Sequence, residues 1–177
     1  AGSTDWKLYQ RGPDDTADVP VRLFHRLESA GRAQVRVVRS LGGAVLPGFD
    51  WTDRELPLPA APGGATAALT VSGVPTGGNY DVEVRLVRDA DGTVVAQDAI
   101  RDIAVGDLWV VGGQSNMSGY SGSLIGAEEP SDGVHLFGND YVWKRGSEPM
   151  DDGTDQEAWQ LWLQLQVSLG THGAHKF

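Results

Sequence analysis

The chain has 177 residues, no cysteine, and a formal net charge of −10 that results from 24 acidic and 14 basic residues. The lack of cysteine excludes disulfides, thiolate zinc sites and cysteine nucleophiles. The acidic balance opposes a nucleic-acid partner, because such proteins need a dense basic surface to displace counterions from phosphates. No run approaches the roughly 20 apolar residues of a membrane span, so none is predicted.

The first hundred residues contain short strand-like segments separated by clusters of Gly, Pro and Asp. In residues 80–87, Val82, Val84 and Leu86 alternate with charged residues, as in a half-buried antiparallel strand. Asp91-Gly92 then favours a hairpin turn. The other segments are residues 6–9, 19–24, 34–38, 65–71 and 94–103. Their spacing predicts an antiparallel β-sandwich, Ig-like or jelly-roll-like, over residues 1–105.

The pattern changes at residue 106. Residues 108–111 form a continuous apolar run, typical of a strand buried on both faces in the parallel sheet of an α/β domain. Ser115 follows almost at once, where open α/β sheets place nucleophiles and ligands. Residues 118–153 indicate long loops. A capping box at Thr154 predicts a helix that runs to about Gly170. Residues 106–177 are therefore predicted to be the beginning of an α/β domain.

Ser115 is the candidate catalytic residue. A serine hydroxyl reacts only when a base takes its proton and positioned donors stabilise the oxyanion. Gly113 and the glycine before it allow a sharp turn in which the amide of Ser115 faces a substrate carbonyl, while Gln114 and Asn116 orient the neighbouring backbone. The segment does not match the G-x-S-x-G elbow, because Met117 occupies its fifth position. From the residues alone, a flexible glycine-serine turn without catalytic role is the alternative.

Residues 105–117, with the sequence VGDLWVVGGQSNM, closely resemble the first conserved block of sialate O-acetylesterase-like and acetylxylan-esterase-like members of the SGNH-hydrolase superfamily. Tyr9-Gln10-Arg11 and residues 77–85 resemble pieces of the β-sandwich that precedes this block in several such esterases. The resemblance covers about residues 6–120, the N-terminal part of such an enzyme. It implies a flavodoxin-like α/β domain in which Ser115 is the nucleophile and Gly113, Gln114 and Asn116 form the oxyanion turn.

The activity that the resemblance implies is the removal of acetyl groups from sugars or polysaccharides. The expected partner is an acetylated carbohydrate, and no metal or organic cofactor is implied. The resemblance also implies a secreted or periplasmic location; the start at Ala1 agrees with a mature exported protein and equally with a trimmed sequence. The alternative from a different class is a non-catalytic carbohydrate-binding or interaction module.

The family takes its base from an Asp-x-x-His near the end of the catalytic domain. Only Asp132-Gly133-Val134-His135 has this spacing here, and its position soon after Ser115 favours a coincidence. We therefore expect further polypeptide, continuing this chain or supplied as a second one, to complete the catalytic domain.

The remaining histidines are not predicted to be functional. His172 and His175 are expected to be an ordinary terminal pair rather than a metal site, and His25 is expected to be structural. Three tryptophans that could stack on sugar rings are more often core residues: Trp51, Trp143 and Trp159.

Overall fold

The computed structural model describes residues 5–110, 131–138 and 141–146. The contacts between residues divide the chain into two units, Thr4–Leu108 and a second unit that joins Ala1–Ser3 to Trp109–Phe177. Within the described ranges every regular element is a β-strand. The domain boundary predicted from the sequence lies between residues 105 and 106.

Seven strands lie in the described part of the first unit. They are β1 (Leu8–Gln10), β2 (Thr16–His25), β3 (Gly31–Arg39), β4 (Glu55–Leu58), β5 (Ala65–Pro75), β6 (Gly77–Arg88) and β7 (Val94–Gly106). All six segments predicted as strands within residues 1–105 overlap observed strands. The sequence did not predict β4, because Pro57 interrupts its four residues. Proline is tolerated on edge strands, and β4 is the last strand of its sheet.

These strands form two sheets. The larger has the order β1-β7-β6-β3-β4, and the smaller pairs β2 with β5. The pairing of β1 with β7 is parallel, with Leu8 opposite Ala104 and Gln10 opposite Gly106, so the larger sheet is mixed. The pairing of β6 with β7 contains three register shifts, each a bulge or another irregularity.

The turn between β6 and β7 has the backbone conformation that its sequence predicts. Gly92 has a φ of +71°, the left-handed conformation that the Asp91-Gly92 pair predicts. Its amide donates to the carbonyl of Arg88, and the amide of Arg88 donates to the carbonyl of Thr93. The Asp91 carboxylate accepts from the amide of Thr93 and closes the turn.

One hydrophobic core joins the two sheets. The larger sheet contributes the alternate, inward-facing residues of β3, β6 and β7, and the smaller sheet contributes those of β2 and β5. The fully buried members are Val19, Val35, Val37, Val71, Val74, Tyr80, Val82, Ile103 and Val105. Burial of apolar surface is the main stabilising contribution to such a unit.

The described part of the second unit contains a hairpin of β8 (Ser131–Phe137) and β9 (Trp143–Gly146), which pair antiparallel. The ring of Phe137 lies 5.3 Å from that of Trp143 and 6.3 Å from that of Tyr141, centroid to centroid. The prediction of loops over residues 118–153 is therefore wrong for these two segments. Cross-strand aromatic pairs stabilise such a hairpin, and they become visible only when the strands pair.

The predicted fold class, an antiparallel β-sandwich followed by the beginning of an α/β domain, is wrong. The main sheet is mixed because of the parallel β1–β7 pair, and residues 5–110, 131–138 and 141–146 contain no helix. The apolar run at Leu108 was expected to be a buried strand, yet β7 ends at Gly106 and residues 107–110 belong to no strand. The helix predicted at residues 154–170 lies outside the described residues. No helix in the described ranges could span a membrane.

Candidate functional site

The residues predicted to form the site are Ser115 and its neighbours Gly113, Gln114 and Asn116. All four lie outside the described residues. The structure does describe the chain that leads to them, from the end of β7 to Val110.

The end of β7 is held by residues that follow β1. The parallel register places Gln10 opposite Gly106, and the next residue, Arg11, donates its amide to the carbonyl of Gly106 over 2.9 Å. The Arg11 guanidinium contacts the carboxylate of Asp107, with Nε 2.9 Å from Oδ1 and Nη2 3.3 Å from Oδ2. The amide of Leu108 donates to the side-chain oxygen of Gln10 over 2.7 Å. We call this group the Arg11 clasp: Gln10 and Arg11 with Gly106, Asp107 and Leu108.

Charge complementarity strengthens the clasp. The hydrogen bond from Arg11, together with its positive charge, holds the pKa of Asp107 below its ordinary value, with a smaller contribution from the Gln10 side chain. The pKa of Arg11 is raised in turn, mainly by its hydrogen bond to Asp107 and to a smaller extent by its hydrogen bond to Asp15. Arg11 and Asp107 are both half-exposed, with 38% and 48% of their side-chain surface accessible. Salt therefore screens part of this attraction.

Beyond the clasp the chain exposes apolar side chains. Leu108, Trp109 and Val110 are 48%, 80% and 95% exposed. The prediction that these residues form a strand buried on both faces is wrong. The amide of Leu108 bonds to a glutamine side chain instead of a neighbouring strand, and no described strand pairs with residues 108–110.

The Asp132–His135 pair does not have the geometry of a catalytic dyad. In a triad the carboxylate accepts a hydrogen bond from the imidazole and orients it. Here the Asp132 carboxylate accepts from Nε of Arg145 over 2.8 Å. Nε2 of His135 lies 3.2 Å from the backbone carbonyl oxygen of Asp132 instead. This arrangement agrees with a coincidental Asp-x-x-His spacing.

The other histidines offer no alternative base within the described ranges. His25 is buried at the end of β2, which agrees with the structural role expected from the sequence. Its Nδ1 has no hydrogen-bond partner. His172 and His175 lie outside the described residues. In the part of the chain that the structure describes, no group of three or more His, Asp or Glu side chains could hold a metal ion.

The ring of Trp51 contacts two arginine side chains of the first unit. The guanidinium carbons of Arg36 and Arg85 lie 4.6 Å and 4.4 Å from the centre of its ring, within the range of a cation–π interaction. These contacts hold a half-buried tryptophan against β3 and β6 and favour a structural role. Trp143 packs against Phe137 in the second unit, and Trp159 lies outside the described residues.

A groove between two strand edges was not predicted from the sequence. It has a volume of about 340 Å³ and lies between β4 and β5, lined by Asp53, Arg54, Glu55, Leu56, Leu69, Thr70 and Ser72. Arg54 crosses it, because its Nη2 donates to the carbonyl of Ser72 over 2.8 Å. The residues that line the groove include no histidine that could act as a base for Thr70 or Ser72, so we assign no catalytic site to it.

Comparison with known proteins does not identify a family for this chain. No protein-family model matches it, and no curated protein matches it at a significant level. The resemblance of residues 105–117 to SGNH esterases thus rests on the sequence of that block and of the shorter pieces upstream.

Proposed function

We propose that this chain carries the nucleophile of a carbohydrate O-acetylesterase, and that the nucleophile is Ser115. The observation that carries the proposal is the residue order of positions 105–117, in which an Asp-Leu-Trp-Val-Val segment is followed by paired glycines and then by Gln114, Ser115 and Asn116. The acidic charge, with 24 acidic against 14 basic residues, also favours a neutral substrate over a polyanion.

In the proposed reaction, the Ser115 hydroxyl attacks the carbonyl carbon of an acetyl ester while a base takes its proton. The amide of Ser115 and the turn formed by Gly113, Gln114 and Asn116 stabilise the oxyanion. The sugar oxygen leaves with the proton from the base. Water then attacks the acetyl-enzyme and releases acetate, which restores the serine. No metal or organic cofactor takes part in these steps.

The base is proposed to lie outside the described residues. Within them, His25 is buried in the first unit and the Asp132 carboxylate is bonded to Arg145 rather than to His135. Further polypeptide, continuing this chain or provided by a second one, is the proposed source of the base and of the remaining oxyanion donors. Acetylated polysaccharides are extracellular polymers, so we also propose a secreted or periplasmic location.

The experiment measures acetate release from acetylated xylan and from an aryl acetate. It uses the full product of the gene, so that every part of the enzyme is present. The proposal predicts turnover that Ser115→Ala abolishes and that the neighbouring control Ser121→Ala retains. Equal rates for wild type and Ser115→Ala would exclude Ser115 as the nucleophile.

A non-catalytic carbohydrate-binding module is the second candidate. Exposed aromatic rings favour it, since Trp109 and Tyr141 are 80% and 72% accessible and such rings stack on sugars. The module predicts saturable binding of xylan oligosaccharides without acetate release. Calorimetric titration with deacetylated and acetylated oligosaccharides separates the two functions, because only the esterase consumes the acetylated ligand.

A further inference from the structure

Two arginine side chains are neighbours on the outer face of the larger sheet. Arg36 on β3 lies directly opposite Glu83 on β6, and Gln34 lies directly opposite Arg85. Since residues two apart on a strand share a face, Arg36 and Arg85 are diagonal neighbours, with Cα atoms roughly 7–8 Å apart. Val35, the residue between Gln34 and Arg36, is fully buried in the core, so both arginines extend from the opposite, outer face.

Hydrogen bonds within the sheet hold each arginine by its Nε atom. Nε of Arg85 donates to Oε1 of Gln34 over 2.7 Å, and Nε of Arg36 donates to the carboxylate of Glu83. Gln34 is fixed in turn, because it is buried and its amide group donates to the carboxylate of Glu55. Each guanidinium is thus held through Nε, which leaves the edge formed by Nη1 and Nη2 for another acceptor.

Trp51 keeps the two guanidinium groups together. The Cζ atoms of Arg36 and Arg85 lie 4.6 Å and 4.4 Å from the centre of its ring. The loop that carries Trp51 is fixed to β3 on both sides, because the carbonyls of Phe49 and Arg54 accept from β3 amides over 3.0 Å and 3.1 Å. The arrangement of the two arginines is therefore built before any ligand binds.

The two arginines carry more positive charge than nearby carboxylates neutralise. Arg36 pairs with Glu83, whereas Arg85 forms no ion pair with a carboxylate within the described ranges. The Nη atoms of both arginines bond to no acceptor in that part of the chain, and 30% of the Arg36 side chain is accessible to solvent. A planar edge with two N–H donors matches the two oxygens of a carboxylate. A carboxylate is therefore the ligand group that fits these arginines.

We propose that Arg36 and Arg85 bind the carboxylate of a sugar acid, and that Trp51 holds the two guanidinium groups in place for it. The site lies entirely in the first unit and does not involve Ser115. The choice of a sugar as the carrier of the carboxylate rests on the proposed function, whose substrate is a carbohydrate.

The surrounding charges limit the ligand to a single carboxylate. Asp50 and Asp53 lie beside Trp51 in its loop, and the whole chain has a net charge of −10. Densely charged polymers are therefore repelled. A uronic acid residue within an otherwise neutral polysaccharide presents one carboxylate among hydroxyl groups, and this is the ligand class that the site fits.

The first test compares a sugar acid with its neutral counterpart. The full gene product is titrated with sodium glucuronate and with glucose at constant ionic strength. The NMR signal of the Trp51 indole N–H, assigned with Trp51→Phe, reports binding. Bidentate pairing predicts that glucuronate binds at least about tenfold more tightly than glucose. Equal affinities for the two sugars, or no saturable binding of glucuronate, would overturn the site.

The second test removes one guanidinium at a time. Arg36→Gln and Arg85→Gln should each weaken glucuronate binding by about tenfold. Arg85→Lys keeps the charge but not the planar fork, so its affinity should lie between those of wild type and Arg85→Gln. Arg88→Gln is the matched control, because Arg88 lies on the same strand and pairs with Asp91 in the turn that follows. Its affinity should equal that of wild type.

The control defines what would contradict the site. An equal loss of affinity in Arg88→Gln and Arg85→Gln would mean non-specific attraction to positive charge and would overturn the site. Each variant's thermal unfolding is recorded, and affinities are compared at a temperature where all variants are folded.

Two further outcomes separate the carrier of the carboxylate and the two proposals. The amide of N-acetylglutamate carries one carboxylate on a peptide-like frame, and tighter binding of it than of glucuronate would overturn the assignment to a sugar. Binding of glucuronate by a gene product that releases no acetate would overturn the proposed esterase and leave the site intact. Release of acetate without binding of glucuronate would overturn the site alone.

Discussion

Arg11 and Asp107 form a forked ion pair at the place where the first unit's last strand ends, with Nε 2.9 Å from Oδ1 and Nη2 3.3 Å from Oδ2. The pair continues the parallel register of β1 and β7 by one residue. Both residues belong to the segments on which the proposed resemblance to SGNH esterases rests, yet nothing in either segment alone indicates that they meet.

The pair predicts a specific pH dependence of stability. The pKa of Asp107 is lowered in the folded protein, so its contribution is fully present above the ordinary aspartate pKa of about 3.9. That contribution is lost as the pH falls through the lower, folded pKa. The Tm difference between wild type and Asp107→Asn should therefore be constant near neutrality and shrink below about pH 4. Thermal melts from pH 3 to 7 measure it, and a difference that grows on acidification would contradict the pairing.

Replacement of Ser115, the proposed nucleophile, should remove the proposed activity without unfolding the protein. Loss of the serine nucleophile costs on the order of 10⁶ in kcat in subtilisin, and Ser115→Ala should lower acetate release by several orders of magnitude. Circular dichroism should show an unchanged strand spectrum. Activity within tenfold of wild type would mean that another residue is the nucleophile.

His135 is expected to be dispensable for the reaction. Removal of a general base lowers turnover by roughly 10²–10⁴-fold, whereas His135→Gln should retain the wild-type kcat. The reason is geometric, because the Asp132 carboxylate is bonded to Arg145. Acetate release by the His135→Gln gene product measures this directly. A hundredfold loss would make His135 the base.

A buried isoleucine should be important for the first unit's stability. Ile103 is completely buried in the core that joins the two sheets, so Ile103→Ala removes apolar burial and leaves a cavity. The expected cost is about 2–5 kcal/mol of unfolding free energy. Val94 lies on the same strand and is 45% exposed, and Val94→Ala should change stability by less than about 0.5 kcal/mol. Urea denaturation compares the two variants, and equal effects would contradict the assigned core.

Two glycines should differ sharply in their tolerance of a methyl group. A Cβ at Gly31 would lie 2.5 Å from the carbonyl oxygen of Val87, which is backbone on the neighbouring strand. Gly31→Ala should therefore destabilise the protein by about 1–3 kcal/mol. A Cβ at Gly63 would meet no heavy atom within 4 Å, so Gly63→Ala should be neutral or slightly stabilising. A similar loss of stability in both variants would contradict the close approach at Gly31.

The sequence by itself determined where most strands of the first unit lie. Apolar residues such as Val82 and Val84 alternate with charged ones, and Asp91-Gly92 favours a positive φ. Both are local properties of the sequence, and both are retained in the folded chain. The sequence also defined Ser115 as the candidate nucleophile, because that inference depends only on the order of neighbouring residues. The serine's surroundings lie outside the described residues, so its assignment stays a prediction.

Tertiary structure decided how the strands pair and whether the apolar run after β7 is buried or exposed. Periodicity records which face of a strand is buried but not which strand lies beside it, so the parallel β1–β7 pair could not be predicted. A continuous run such as Leu108–Trp109–Val110 is compatible with burial on both faces, but these side chains are buried only if neighbouring strands cover them. The Arg11 clasp directs the chain away from the end of β7, and these side chains remain exposed. That contact joins residues 96 positions apart, beyond the range of any local pattern.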